Sequence, residues 1–232
     1  MIKLRTGCYL QCTGNLFLME FSMTFDGRFL SSWLRQPLAC SRLLTIGIFI
    51  AVLAAFLSSS PAQSAEPESA LWKALRSGGH VVLLRHALAP GTGDPPGFRL
   101  GDCQTQRNLS MQGREQATRI GELFRNHGMQ TARVFSSQWC RCLETARLLD
   151  LGPVEERPVL NSFFNDFSRR DPQTGELRGW LDELPLSEPV VLVTHQVNIT
   201  ALTGVYPGSG ELVIVRRGEN GKLDVIGTIE TD

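Results

Sequence analysis

The chain has 232 residues and balances 23 Lys and Arg against 23 Asp and Glu, a formal net charge of zero. Residues 1–62 carry five basic and two acidic residues, which leaves 18 basic and 21 acidic residues, a net of −3, on the rest. That is a poor footprint for general nucleic-acid binding, which needs a broad basic face, and it leaves room for a small basic pocket; the length suits one sizeable domain or two small ones.

Residues 43–57 (LLTIGIFIAVLAAFL) are uncharged and almost wholly apolar, with Arg42 before them and Ser58-Ser59-Ser60-Pro61-Ala62-Gln63-Ser64-Ala65 after. A basic flank, an apolar core of this length and small residues at the exit predict a secretory signal peptide, cleaved after Ala62 or Ser64. The competing reading is an uncleaved membrane tether, although the run falls short of the ~20 residues a spanning helix needs. The 42 residues ahead of it are long for such a signal, and Met23 is an alternative start. Residues 1–65 are thus read as an N-terminal extension and 66–232 as the working domain, in the periplasm or otherwise exported. Export removes Cys8, Cys12 and Cys40 and leaves Cys103, Cys140 and Cys142 in an oxidising compartment. Three thiols predict one bridge and one buried thiol, with Cys103 joined to Cys140 or to Cys142. Cys-Arg-Cys is not a usual zinc-ligand spacing and no His pair lies near it, so no metal is expected there.

In the domain, Glu66–Arg76 has helical apolar spacing and ends at Ser77-Gly78-Gly79. His80–Arg85 (HVVLLR) is a buried-strand run. A long polar loop, Ala87–Asn108, follows, and loops of that length are usually functional. Ser110 is a good N-cap for a helix with the stripe Ala117, Ile120, Leu123 and Phe124, closed by Gly128. A strand is predicted over 132–137, a helix over 139–149, a strand over 154–160 and a helix over 172–184. Pro189–Thr194 (PVVLVT) is a second buried-strand run, ending in His195, and 196–203 starts a short helix. Residues 211–216 and 222–229 read as a closing hairpin around Gly218-Glu219-Asn220-Gly221. Strands alternating with helices predict an α/β fold, a three-layer α/β/α sandwich on a mostly parallel sheet.

Two strand runs end in histidine, Leu84-Arg85-His86 and Val193-Thr194-His195. Ligands of such sheets bind at the C-terminal strand ends. A third strand ends at Ser136-Ser137 and leads to Arg141 at a helix start, where anions are favoured. Two His and two Arg at one edge suit phosphoryl transfer through a phosphohistidine. A neutral imidazole attacks phosphorus, and the planar, always charged arginines hold its oxygens. No Gly-x-Ser-x-Gly elbow supports a serine hydrolase.

Four motifs in order resemble the histidine phosphatase superfamily, in the branch that includes phosphoglycerate mutase-like enzymes and small exported bacterial phosphatases. They are Leu84-Arg85-His86-Ala87, with Ala87 where Gly is usual; Asn108-Leu109-Ser110-x-x-Gly113-x-x-Gln116-Ala117; Ser136-Ser137-x-x-x-Arg141-Cys142-x-x-Thr145-Ala146; and Val193-Thr194-His195. The resemblance implies a phosphoglycerate mutase-like fold, His86 as nucleophile, and Arg85, Arg141 and His195 around the phosphoryl group, with no cofactor. Many members carry a Glu acid soon after a Leu-Asn pair. Here Leu160-Asn161 is followed by Ser162, so Asp166 is the expected acid and Asp94 its rival. Thr92 and Asn108 are the further substrate contacts expected, and Phe163, Phe164 and Phe167 either wall the pocket or pack the core. His80 and His127 match no motif and are read as structural or surface residues. The expected activity is an exported phosphomonoesterase acting on a phosphorylated small molecule or envelope component, for which lipopolysaccharide phosphates are the analogy. A phosphate-binding protein without catalysis and a phosphomutase are the alternatives.

Overall fold

The computed structural model describes residues 67–218 and 222–231. The described residues all belong to one compact unit, Gln63–Asp232. The apolar run 43–57, its cleavage sites, Cys8, Cys12 and Cys40 lie outside the described residues, as do three residues of the last turn, 219–221. Among the described residues no helix is long and apolar enough to cross a membrane.

The chain begins with α1 (Glu68–Arg76), whose Trp72 indole donates to Glu68 one turn back at 3.0 Å. Ser77 caps it, and β1 (His80–Arg85) follows. Next come α2 (Met111–Asn126), β2 (Arg133–Ser136), α3 (Cys140–Leu148) and β3 (Val154–Glu156). The chain finishes with α4 (Arg170–Glu183), β4 (Val190–Thr194), α5 (Gln196–Thr203), β5 (Leu212–Arg217) and β6 (Leu223–Ile229). The six strands form one sheet in the order β3-β2-β4-β1-β5-β6. The first four are parallel, and β5 and β6 are antiparallel to their neighbours.

The period of two in each strand sorts the core into two layers. Val82 and Leu84 of β1, with Val191 and Val193 of β4, pack under α1, α2 and α3 through Trp72, Ile120, Phe124 and Cys142. Val81 and Leu83, with Val190 and Leu192, face α4 and α5 through Leu177, Leu181, Ile199 and Leu202. Because both faces are covered, the central strands are apolar without alternation, which is why they were legible as continuous runs.

One element is shorter than its sequence predicts. The strand expected over 154–160 ends at Glu156, and Pro158–Leu160 forms a 3₁₀ turn. Pro158 has no amide to donate to a ladder. Val159 and Leu160 are buried beneath α4 with Leu177 and Leu181 instead. Helix α4 begins two residues earlier than expected, with Pro172 in its first turn, where no amide partner is required.

Candidate active site

The topology alone brings three strand ends together, since β2, β4 and β1 are adjacent. The His86 amide donates to the Thr194 carbonyl at 3.0 Å, and the Ser137 amide to the Val193 carbonyl at 2.9 Å. The chain therefore leaves the sheet at His86, His195 and Ser137 on one level. Motif residues fix the turn after His86. Helix α2 abuts it so closely that a Cβ on Gly113 would lie 2.0 Å from the Leu88 carbonyl oxygen. Gln116 accepts from the Leu88 amide at 3.0 Å and donates to the carbonyls of Ser209 and Thr231. Ala87 donates its amide to Thr145 Oγ1 at 3.1 Å and is wholly buried with Ala89, Leu109 and Ala117.

His86, His195 and Arg141 are each 4% exposed or less, and the two imidazole centroids are 5.5 Å apart. His86 Nδ1 is 2.9 Å from the Ala87 carbonyl oxygen. A carbonyl only accepts, so Nδ1 carries the proton and Nε2 presents its lone pair. Arg141 Nε donates to that lone pair at 3.2 Å. Arg141 Nη2 is 3.5 Å from His195 Nδ1, and because a guanidinium only donates, the His195 proton sits on Nε2. That Nε2 lies 2.8 Å from Ser137 Oγ, which donates to Asn161 Oδ1 at 3.2 Å. Asn161 is itself held by the Gln138 amide at 2.9 Å, and its carbonyl accepts from Gln173 and Asn198.

Burial, then the charge of Arg141, pushes the His86 imidazole down to about 3, against the partial support of the Ala87 carbonyl. Burial and Arg141 likewise hold His195 well below its ordinary value. Both rings are therefore neutral at physiological pH. Burial raises the Cys142 thiol to about 12, so this residue, 3.5 Å from His195 Nε2, is a packing group and not a nucleophile.

Arg85 donates to the Pro207 carbonyl at 2.8 Å, while its buried Nε finds no partner among the described residues. Arg141 is gripped by Asp94, Nη1 to Oδ1 at 2.7 Å and Nη2 to Oδ2 at 3.1 Å. Asp94 also accepts from the Arg107 amide and the Trp139 indole, at 3.1 and 3.0 Å. Burial alone would raise the Asp94 carboxyl, but the hydrogen bonds and charge of Arg141 and these donors keep it below its ordinary value. Asp94, weighed in the sequence as a rival acid, is therefore an ionised positioning partner of Arg141.

A cleft of about 300 Å³ opens above this floor and is bordered by Arg85, His86, Arg141 and His195. Thr92 and Asp166 lie on its border as well. Asp166 is exposed and caps a short turn, accepting from the Ser168 amide at 3.2 Å and its hydroxyl at 2.5 Å. Asn108 does not join them. Its side chain donates to the carbonyls of Cys103 and Gln106, at 2.6 and 3.1 Å, and braces the loop. His80 bonds the Gly78 carbonyl, and His127 stacks on Trp72 at 4.3 Å, both away from the cleft.

Sequence reasoning missed Arg107. It borders the cleft, donates Nε to the Gly93 carbonyl at 2.7 Å and Nη1 to the Ala89 carbonyl, and so ties down the loop while adding a third cation. Its position directly before the Asn108-Leu109-Ser110 helix start was the available signal. Cys103 and Cys140 form a disulfide with 5.6 Å between Cα atoms, and Cys142 is the free, buried thiol. The bridge fastens the loop to the first residue of α3, next to Arg141. Gln106 Oε1 accepts the Cys140 amide at 3.0 Å. Among the described residues no cluster of three or more His, Cys, Asp or Glu has a metal-holding arrangement.

Neutral imidazoles ringed by three arginines at the C-terminal edge of the parallel strands make a site suited to an anionic group. Residues 81–173 match the model of the histidine phosphatase superfamily (branch 1), whose motifs this stretch carries. The solved structure of the protein histidine phosphatase SixA complexed with tungstate matches at 14% identity and a TM-score of 0.50, over 66% of this chain and 97% of that one. A mycobacterial glucosyl-3-phosphoglycerate phosphatase in complex with VO3 matches at 20% identity and a TM-score of 0.48, over 64% of this chain and 98% of that one. The putative phosphohistidine phosphatase SixA from Agrobacterium tumefaciens matches at 18% identity and a TM-score of 0.45, over 66% and 97%. At 14% identity the likeness to the first of these is one of fold. No curated protein matches the sequence.

Proposed function

We propose that the protein is an exported phosphomonoesterase that hydrolyses its ester through a covalent phosphohistidine on His86, without a metal. The observation that carries this reading is the His86 tautomer: Nδ1 is committed to the Ala87 carbonyl, and Nε2 faces Arg141 with its lone pair. Arg85, Arg107 and Arg141, set against the single carboxylate of Asp94, give the floor an excess of two positive charges. That matches a phosphate dianion, and the unpartnered Arg85 Nε is a donor that a phosphoryl oxygen would satisfy.

In the first step His86 Nε2 bonds to phosphorus as the bond to the ester oxygen breaks. Asp166, the carboxyl at the cleft's border, gives that oxygen its proton. In the second step water attacks phosphorus and gives a proton back to the Asp166 carboxylate, the P–N bond breaks, and phosphate leaves with His86 neutral and Asp166 protonated again. The arginines stabilise the charge on the equatorial oxygens in both steps, and donors so placed are worth about 10²–10³ in rate each. His195, oriented by Ser137 and Asn161, stands beside the same oxygens.

The apolar run 43–57 and the Cys103–Cys140 disulfide both favour an exporting route to the periplasm. The same run, uncleaved, would tether the protein to the inner membrane facing that space. The substrate is then a phosphorylated small molecule or envelope component. A phosphate-binding protein without turnover is the second reading, and the intact His86 disfavours it. A phosphomutase reading is disfavoured because an exported site meets few phosphorylated metabolites. Assay of the purified protein with p-nitrophenyl phosphate, beside His86→Ala, decides. Turnover that vanishes in the variant supports the enzyme. Phosphate binding without turnover on any ester supports the binding protein.

A further inference from the structure

The mouth of the cleft carries a chemistry that a bare phosphate does not need. Six large apolar side chains are exposed among the described residues, and Phe164, Phe167 and Tyr206 are three of them, at 42%, 60% and 75%. Phe164 and Tyr206 border the cleft, and Phe167 sits beside Phe164 with 6.2 Å between centroids. Phe164 reaches the first loop, where a Cβ on Gly93 would lie 3.7 Å from its ring edge. A further aromatic wall climbs out of the floor. Trp139 meets the His195 ring edge-on at 5.3 Å, and Phe98 meets Trp139 at 5.5 Å. Both also border the cleft. The volume, about 300 Å³, is at the lower end for small-molecule sites and leaves room for a phosphoryl group and about one ring.

Resting on the phosphatase reading above, we infer that the substrate is a small phosphate monoester whose alcohol carries a flat ring. That ring is seated between the aromatic side chains Phe98, Phe164 and Tyr206 while the phosphoryl group occupies the arginine floor. Exposed aromatic side chains lose apolar surface to water when such a ring enters, and offset or edge contacts between rings add to that. A short linear alcohol covers less of that apolar surface and makes no ring contact. An aryl group and a nucleobase share this chemistry.

The test compares benzyl phosphate with n-propyl phosphate, two esters of primary alcohols that differ in the ring, and adds a nucleoside 5′-monophosphate. Two aromatic contacts of ordinary strength predict a kcat/KM preference for benzyl phosphate on the order of tenfold. Phe164→Ala and Tyr206→Ala each narrow the benzyl-to-propyl ratio by roughly threefold or more. A nucleotide preferred over both esters assigns the ring to a base, and the reverse assigns it to an aryl group. Benzylphosphonate and n-propylphosphonate, which cannot be hydrolysed at phosphorus–oxygen ester bonds they lack, repeat the comparison as binding constants by calorimetry. That arm reads ring preference even if no ester turns over, so failure of the phosphatase reading is distinguishable from failure of this one. Equal kcat/KM for the two esters together with equal phosphonate affinities overturns the inference. So does a benzyl preference that neither variant changes.

Discussion

Arg141 Nε lies 3.2 Å from His86 Nε2 while the two terminal nitrogens of the same guanidinium grip Asp94. One side chain thus donates to the His86 lone pair and is itself fixed by a buried carboxylate. When a phosphoryl group enters between arginine and imidazole, the arginine is already oriented towards its oxygens.

Removing Arg141 has two costs. Arg141→Ala takes away a phosphoryl donor and leaves the 4%-exposed side chain of Asp94 without its partner. The expected loss is about 10²–10³ in kcat/KM. Breaking a buried pair in this way costs about 3–5 kcal/mol of stability. Urea unfolding of Arg141→Ala beside the double variant Arg141→Ala/Asp94→Asn separates the two effects. The double variant recovers stability but not activity.

The two carboxylates predict different signatures. Asp166→Asn lowers kcat for alkyl phosphates by about 10²–10⁴, the usual contribution of a general acid. It has much less effect on p-nitrophenyl phosphate, whose leaving group departs without a proton. Asp94→Asn lowers kcat/KM for both substrates alike, because it acts through the placement of Arg141. Steady-state kinetics of both variants on both substrates checks this.

The Cys103–Cys140 bridge closes a separation of 37 residues, and a chain-entropy estimate for a loop of that size gives about 4 kcal/mol. Reduction, or Cys103→Ser, is expected to lower Tm and to raise KM. The released loop carries Arg107 and Asp94, and both reach the cleft floor. Thermal melts and KM measured with and without reductant test this, and an unchanged KM would show that the loop is held by its hydrogen bonds alone.

Two buried neutral histidines set a pH dependence of stability. Their folded pKa values lie below the unfolded value of about 6.5. The unfolded chain therefore binds more protons than the folded one in acid, and stability falls as pH falls below 6.5. For His86 the loss continues to about pH 3. Each such proton gives a slope of about 1.4 kcal/mol per pH unit well below pH 6.5. Urea unfolding between pH 7 and 4.5 is expected to show a slope shallower by about one proton in His86→Asn than in the wild type.

The sequence made the strand ends legible because β1 and β4 are covered on both faces and so read as uninterrupted apolar runs. It made the two cleft histidines legible because His86 and His195 each follow such a run. The termination of β3 was harder: Pro158 ends it, but Val159 and Leu160 continue the apolar pattern for packing reasons. Arg107 and Asp94 were hard to read for another reason. Their roles depend on where an irregular loop of Gly and Pro folds back, through contacts with Arg141 dozens of residues away. Asn108 shows the converse, a motif residue whose side chain serves the loop.

The most direct test of the central claim is chemical. The protein is mixed with a ³²P-labelled aryl phosphate, quenched in alkali within a turnover, and its labelled peptide is sequenced. The account predicts an alkali-stable, acid-labile label on His86 that is absent from His86→Ala along with turnover. Product formation that persists in His86→Ala, or a label on any other residue, would contradict it.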